Sequence, residues 1–319
     1  MAIDRRRFLH FAWAMLAYSV AVILWGAYVR ATGSGAGCGS HWPLCNGEVI
    51  PRAPMVTTII EFTHRVTSGL SWLFAVALAW LARSVFPPRD PARRAAAAVL
   101  VLMTTEALIG AGLVLFKMVA LNESLARGVW VAAHLTNTFL LLAAEALTCY
   151  FAAGGGALAP RRHGATTFAL AVGFLGLFLV GISGAIVALG DTLFPAASLA
   201  EGLAQDLDVG AHLWVRLRAL HPLLAVGVTG WLVAAAGAVR FSRKERPIRR
   251  AAALLLGTAL LQVGIGFANF LLLAPVWLQM VHLAFADATF LAFVFFAARL
   301  LSAPETAELI RPELRSTEA

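Results

Sequence analysis

The chain has 319 residues, of which 60% are hydrophobic and 13% charged, with a mean hydropathy of +0.80 and a net charge of +8. Soluble domains are about 45–50% apolar and about 25% charged, so this composition excludes a soluble globular fold and indicates a membrane protein. The basic residues occur in short runs between apolar stretches, which is typical of membrane-protein loops and not of a nucleic-acid-binding surface.

Eight stretches of the chain are apolar and long enough to cross a bilayer, which requires about 20 residues. They are predicted at residues 11–31, 57–83, 95–117, 127–151, 166–189, 212–239, 251–273 and 277–301. The first stretch is too long for the apolar region of a cleavable signal peptide, so we expect it to be a retained membrane helix. Because all eight are continuously apolar and not alternating, the sequence predicts an all-α membrane protein and not a barrel.

The loops between the predicted helices alternate between basic and nearly uncharged or acidic. The basic loops contain Arg5, Arg6, Arg7, Arg83, Arg89, Arg93, Arg94, Arg161, Arg162, Arg240, Arg243, Lys244, Arg246, Arg249 and Arg250. Cytoplasmic loops of membrane proteins carry an excess of basic residues. We therefore predict that both termini are cytoplasmic, in a bacterial plasma membrane, and that loops 32–56, 118–126, 190–211 and 274–276 face outside.

The sequence also repeats weakly, which indicates a tandem duplication. His64 and His221 are 157 residues apart, and His134 and His282 are 148 residues apart. Short matching strings accompany them: Val129-Trp130 with Val276-Trp277, Ile109-Gly110 with Ile265-Gly266, and Gly26-Ala27 with Gly184-Ala185. We predict two four-helix bundles related by a pseudo-twofold axis, at residues 1–160 and 161–319. An even number of helices in each half makes the repeats parallel.

The four repeated histidines, His64, His134, His221 and His282, are all predicted near the outer ends of even-numbered helices. Ionisable residues inside a membrane are costly and usually functional. Imidazole is a common axial ligand of haem iron, so one histidine pair in each half is suited to hold one haem. Separate hydrogen bonds to neighbouring helices are the alternative. A zinc or copper site is disfavoured, because no thiolate or carboxylate cluster accompanies the histidines in both halves.

The residue three positions before the first histidine of each half differs between the halves. It is Glu61 in the first half and Arg218 in the second, and each is predicted on the same helix face as its histidine. Arg218, with Arg216, suits haem propionates because arginine pairs with carboxylates. A carboxylate would repel propionates, so Glu61 is predicted to act as a proton acceptor or electrostatic stabiliser. The alternative is that Glu61 only pairs with Arg65 or Arg30.

Two cysteines, Cys38 and Cys45, are predicted in the first external loop. An oxidising compartment makes a disulfide between them plausible, and a redox-active pair is the alternative. Their spacing differs from Cys-x-x-Cys, which favours a structural or regulatory bridge. The glycine-rich segment 33–37 lacks the surrounding strands of a nucleotide-binding loop, so nucleotide binding is not predicted.

Taken together, these motifs resemble those of the haem A synthase family over essentially the whole chain. The resemblance lies in Gly26-Ala27-Tyr28-Val29-Arg30-Ala31-Thr32-Gly33-Ser34-Gly35, in Cys38 and Trp42-Pro43-Leu44-Cys45, in Glu61-Phe62-Thr63-His64-Arg65, and in His134, His221 and His282. It implies an oxidoreductase that converts a methyl group of haem O to the formyl group of haem A, the cofactor of aa3-type terminal oxidases.

The resemblance also implies roles for individual residues. His64 and His134 are expected to bind the substrate haem, and His221 and His282 the iron of a resident haem b. Glu61 matches the acid that acts in the oxidation, and Cys38 and Cys45 match an external disulfide. The candidate propionate-binding residues are Arg65, Arg216 and Arg218.

Two other functions share some of these features. A dihaem b-type electron-transfer cytochrome would have the same four histidines, but the difference between Glu61 and Arg218 argues against two equivalent haems. A haem transporter or chaperone is disfavoured by the absence of broken helices near the midplane of the predicted spans. Besides haem O and membrane lipid, candidate partners are a haem O synthase, an electron-transfer protein and a second copy of the chain.

Overall fold

The structure, a computed structural model, describes residues 4–302. Within that range the chain is helical and contains no β-strand. The α-helices are α1 (Arg5–Ala31), α2 (Val56–Val85), α3 (Pro91–Leu115), α4 (Leu125–Ala152), α5 (Gly164–Leu193), α6 (Leu199–Leu207), α7 (Leu213–Arg216), α8 (Leu220–Ser242), α9 (Arg246–Leu271) and α10 (Val276–Leu301). Eight segments are long and apolar enough to cross a membrane, one of them formed jointly by α7 and α8.

All eight predicted spans are confirmed, although their ends differ by several residues. α1 begins at Arg5 and α9 at Arg246, both earlier than predicted, because charged residues continue each helix beyond its apolar part. The sixth span is interrupted: a 3₁₀ turn at Leu217–Ala219 separates α7 from α8. Pro222 follows this turn and has no N–H to bond the carbonyl of residue 218, which favours a break there. The short helix α6 was not predicted.

Side-chain caps mark where some of these helices begin. Asp4 accepts a hydrogen bond from the N–H of Arg7 at 2.8 Å, at the start of α1. Asp90 accepts one from the N–H of Ala92, also at 2.8 Å, and Pro91 follows it at the first helical position. A capping carboxylate satisfies an N–H that has no partner within the helix, and proline at that position loses no hydrogen bond.

α4 is the central helix and packs against α1, α3, α5 and α10. Neighbours in sequence pack on one another among α1–α4, and again along the series α5, α8, α9 and α10. Phe139 of α4 stacks on Phe290 of α10, with ring centroids 4.5 Å apart. Phe174 and Phe178 of α5 join the same aromatic cluster. The group α1–α4 therefore meets the group α5, α8, α9 and α10 along an aromatic core.

Arg30 joins the two groups of helices near the C-terminal end of α1. Its guanidinium donates from Nη1 to the carbonyl of Ala188 at 2.6 Å and to Thr192 Oγ1 at 2.8 Å, both on α5. Its Nη2 donates to Gln279 Oε1 of α10 at 2.9 Å. Arg30 is thus committed to the contact between the helix groups and does not pair with Glu61.

Candidate haem-binding site

Each of the four predicted haem-binding histidines lies against a glycine on an adjacent helix. The pairs are Gly26 with His64, Gly110 with His134, Gly184 with His221, and Gly266 with His282. A Cβ atom at Gly26, Gly184 or Gly266 would lie 2.9 Å from the imidazole Cε1, whereas at Gly110 it would lie 3.8 Å away. At three of the four positions, therefore, only glycine lets the ring rest against the neighbouring helix backbone.

The second pair, His221 and His282, has the separation expected for two ligands of one metal. The ring centroids are 6.5 Å apart and the ring planes are at 89°. Since each metal–nitrogen bond is about 2 Å long, two imidazoles on opposite sides of one metal have centroids about 6 Å apart. Ser183 Oγ lies 3.0 Å from Nδ1 of His221, which leaves Nε2 of that ring available to a ligand.

Three of the four imidazoles have a buried nitrogen without a protein partner. Nδ1 of His64, of His134 and of His282 has no hydrogen-bond partner among residues 4–302. Leaving such a group unpaired costs about 1–3 kcal/mol, so it calls for an explanation. Separate hydrogen bonds to neighbouring helices therefore do not account for these three imidazoles through Nδ1.

The described residues do not offer a site for a metal ion held by protein alone. Among residues 4–302, no group of three or more His, Cys, Asp and Glu side chains is arranged to hold a metal ion. Zinc usually requires four ligands, whereas haem iron takes four nitrogens from its porphyrin and needs only axial ligands from the protein. Pairs of histidines thus fit haem better than zinc or copper.

Glu61 is buried at the start of α2 and is held by two neighbours. Its Oε2 accepts a hydrogen bond from the backbone N–H of Cys38 at 2.7 Å, and its Oε1 accepts from Arg65 Nε at 3.1 Å and Nη2 at 2.5 Å. Arg65 also donates from Nη1 to the carbonyls of His41 and Leu44. The pairing of Glu61 with Arg65 is therefore present, and together they attach the loop between α1 and α2 to the start of α2.

The same loop contains the predicted disulfide. Cys38 and Cys45 are bonded, with their Cα atoms 4.4 Å apart. Gly37 precedes the bridge, and a Cβ there would lie 2.4 Å from the carbonyl oxygen of Thr57. Thr58 Oγ1 donates to the carbonyl of Gly37 at 2.8 Å. Part of the glycine-rich segment is thus explained by close packing of the loop on the start of α2.

The candidate propionate-binding arginines are in different environments. Arg218 is buried and donates to Asp206 at 2.8 Å and to Asp191 at 3.1 Å, and its Nη2 donates to Gln205 at 2.9 Å. Arg216 is exposed, and Arg65 is engaged as described above. Propionate binding by these arginines stays a prediction. The contacts of Arg218 favour a role in fastening the loop that contains α6.

Sequence reasoning did not connect Glu106 with the histidines. In the structure, Oε1 of Glu106 on α3 lies 3.3 Å from Nδ1 of His134, close enough for an ion pair but not aligned as a hydrogen bond. Gln262 of α9 lies beside His282, with its Nε2 3.5 Å from Nε2 of the ring. Each of these residues comes four positions before the glycine that faces the histidine. That spacing was the signal that could have revealed them.

Comparison with known proteins decides the family. Residues 9–294 match the family described as COX15-CtaA, cytochrome oxidase assembly protein. The chain belongs to this family. The match includes six of the eight long segments completely, most of the first and last, and all four histidines, so the resemblance to haem A synthases that the motifs predicted is confirmed.

Individual relatives show the same relationship over different lengths. The chain is 32% identical to a haem A synthase of Bacillus licheniformis over 223 residues, 67% of this chain and 70% of that protein. It is 45% identical over 95 residues, 30% of this chain and 32% of the relative, to a haem A synthase of Alkalihalophilus pseudofirmus.

A third relative has a different name. The chain is 52% identical over 294 residues to a Thermus thermophilus protein named protohaem IX farnesyltransferase, which covers 91% of this chain and 48% of that protein. The chain thus spans about half the length of this relative, and a second Thermus thermophilus protein of that name matches over the same shares. As a family member whose residues 4–302 contain eight segments long and apolar enough to cross a membrane, the chain is a multi-pass membrane protein related to proteins named haem A synthase.

Proposed function

We propose that this chain is a haem A synthase that oxidises a methyl group of haem O to the formyl group of haem A for aa3-type terminal oxidases. The observation that carries the proposal is an asymmetry between two similar histidine pairs. Both pairs rest on glycines of adjacent helices, but the residues around them differ: the buried Glu61 lies one turn from His64 and the partly buried Glu106 lies beside His134, whereas Arg218 and Gln262 stand at the corresponding positions of the second half. Two equivalent electron-transfer haems would not require this difference.

The two halves of the chain are assigned different tasks. We propose that residues 1–160 bind the substrate haem through His64 and His134, and that residues 161–319 bind haem b through His221 and His282. The proposed halves extend at both ends beyond the described residues. The order of the glycine and histidine contacts, which is the same in the two helix groups, supports the duplication. The basic loops support cytoplasmic termini in a bacterial plasma membrane, with the histidines toward the outer face.

Glu61 is suited to accept a proton during the oxidation. A carboxylate has about four acceptor positions on its two oxygens. In the structure three donors occupy them, one from Cys38 and two from Arg65, which leaves one position for a further donor. Because both neighbours also hold the side chain still, Glu61 would meet the reacting methyl group in a fixed orientation. A haem b in the second half would supply a one-electron acceptor for the same oxidation.

The name of the Thermus relatives supports a protein partner. Transfer of a farnesyl group to protohaem IX, as in that name, produces the haem O that we propose as substrate. A haem O synthase is therefore our candidate for the protein that delivers the substrate, and an electron-transfer protein would receive the electrons. A second copy of the chain is a further candidate partner.

The experiment that tests the proposal identifies the haems bound to the protein. The chain is produced with and without a haem O synthase, purified in detergent, and its extracted haems are identified by mass. Haem b together with haem O or haem A, the latter two only in the presence of the haem O synthase, is the expected result. Two molecules of haem b per chain under both conditions would instead favour a dihaem electron-transfer cytochrome. Loosely held haem without any formyl product would favour a transporter or chaperone.

A further inference from the structure

A group of polar side chains surrounds His134 of the first histidine pair. Glu106 Oε2 accepts a hydrogen bond from Asn137 Nδ2 at 2.6 Å, and Oε1 accepts one from the hydroxyl of Thr138. Asn137 also accepts from Thr105 Oγ1 at 2.6 Å. The carboxylate of Glu106 is thereby held with Oε1 3.3 Å from Nδ1 of His134. We call Thr105, Glu106, Asn137 and Thr138 the His134 network.

The second half has no counterpart of this network. Counting from the matched glycines and histidines, the equivalent residues are Leu261 for Thr105, Gln262 for Glu106, Phe285 for Asn137 and Ala286 for Thr138. Three of the four positions are apolar, and the fourth replaces a carboxylate by a neutral carboxamide. Because polar groups are costly in a membrane, a network present in one half only indicates a task specific to that half.

We propose that Glu106 is a positioning residue that orients His134 and makes it a more electron-donating axial ligand than His282. This inference rests on the proposed function, since it assumes that His64 and His134 hold the substrate haem. A ligating histidine commonly donates its other N–H to a carboxylate, which fixes the ring and raises the basicity of the ligand. Oε1 of Glu106 is within hydrogen-bonding distance of Nδ1 of His134, at 3.3 Å, so the two atoms can pair once the N–H is aligned with the carboxylate.

The consequence is a direction for electron transfer. A more basic axial ligand stabilises oxidised iron, so the haem of the first half is expected to have the lower reduction potential. Nδ1 of His282 has no hydrogen-bond partner among residues 4–302 and the neighbouring Gln262 is neutral, so a haem held in the second half would have the higher potential. This difference in potential would favour the movement of electrons from a haem held by His64 and His134 to one held by His221 and His282, which is the direction that oxidation of the substrate would require.

The test exchanges the two residues in the full chain, purified with its haems. Glu106→Gln gives the first half the side chain of the second, and Gln262→Glu makes the reverse change. Optical redox titration and electron paramagnetic resonance of the ferric haems follow each variant. We expect Glu106→Gln to raise the potential of one haem only, and Gln262→Glu to lower the potential of the other. Thr138→Ala removes one hydrogen bond to Glu106 and introduces the residue found at the equivalent position, Ala286. It should raise the reduction potential of the same haem as Glu106→Gln does, but by less.

The outcomes separate this inference from the proposed function. One outcome is that Glu106→Gln loses haem or stability, while Thr138→Ala and Gln262→Glu leave the reduction potentials and the paramagnetic resonance spectra of both haems unchanged. Glu106 then only stabilises the packing of α3 on α4, and the inference is wrong. If the potentials shift as expected but no haem A is ever formed, the proposed function fails while the pairing of Glu106 with His134 stands. If the first-half site of the purified protein holds little haem, apoprotein mixed with iron protoporphyrin IX is measured instead. A wild-type chain that binds no iron protoporphyrin IX would overturn both this inference and the proposed function.

Discussion

Gly26 of α1 and His64 of α2 are in direct contact, such that a Cβ atom on the glycine would lie 2.9 Å from Cε1 of the imidazole. The same close contact occurs between Gly184 and His221 and between Gly266 and His282. These three glycines therefore restrict where the imidazoles lie, and substituting them tests the proposed haem sites without removing a proposed ligand.

We expect Gly26→Ala to displace His64 and to weaken haem binding in the first half. Overpacking typically costs about 1–3 kcal/mol, which corresponds to roughly tenfold or more in affinity. Gly110→Ala is the matched control, because its Cβ would lie 3.8 Å from Cε1 of His134, an ordinary van der Waals distance. The haem-to-protein ratio after gel filtration measures the effect. Equal losses of haem in Gly26→Ala and Gly110→Ala would show that the contact between the new Cβ atom and the imidazole does not cause the weaker haem binding.

We expect Glu61→Gln to retain haem but to lose conversion of haem O by about 10²- to 10⁴-fold, the usual contribution of a general base. Because Glu61 also anchors the external loop through Cys38, a control must disturb the loop alone. Thr58→Val removes the neighbouring hydrogen bond to Gly37 and leaves Glu61 intact, so it should keep most of the conversion. Conversion is followed as the amount of haem A per chain. Normal turnover in Glu61→Gln would refute the proposed role.

Arg218→Gln is expected to lower the stability of the protein by about 2 kcal/mol, because it leaves Asp191 and Asp206 without their cation at a partly buried site. Thermal unfolding in detergent measures this change. Arg216→Gln is the control and should unfold at the wild-type temperature, because Arg216 is exposed. If Arg218→Gln instead keeps the wild-type stability and loses only the haem of the second half, the result would support the predicted binding of propionates by Arg218.

Arg30→Gln is expected to weaken the contact between the two groups of helices. It removes charge-assisted hydrogen bonds to α5 and α10, each of which contributes about 1.5–3 kcal/mol. Thr192→Val removes one acceptor only and should cost less. Limited proteolysis and thermal unfolding in detergent measure both variants. An unchanged unfolding temperature in Arg30→Gln would mean that the aromatic core between Phe139 and Phe290 suffices to hold the groups together.

Several features could be predicted from the sequence because they depend on local composition or spacing. The eight membrane spans follow from apolar runs whose length must match the bilayer, whatever they pack against. The family motifs and the four histidines are visible as residue patterns, and the Cys38–Cys45 bridge needs only two nearby cysteines in one loop. Helix ends were less accurate, because hydropathy does not detect polar turns such as the start of α1.

Only the tertiary structure decided the partners of the polar groups. Glu61 could have paired with Arg65 or Arg30, and packing directs Arg30 to α5 and α10 and leaves Arg65 to Glu61. Likewise Glu106, which in the sequence is one of several acids inside the membrane, lies beside His134 only because α3 packs on α4. Hydropathy and spacing are properties of a single segment, whereas an ion pair or ring contact depends on how two segments are rotated against each other. That rotation is set by side-chain packing along the whole interface.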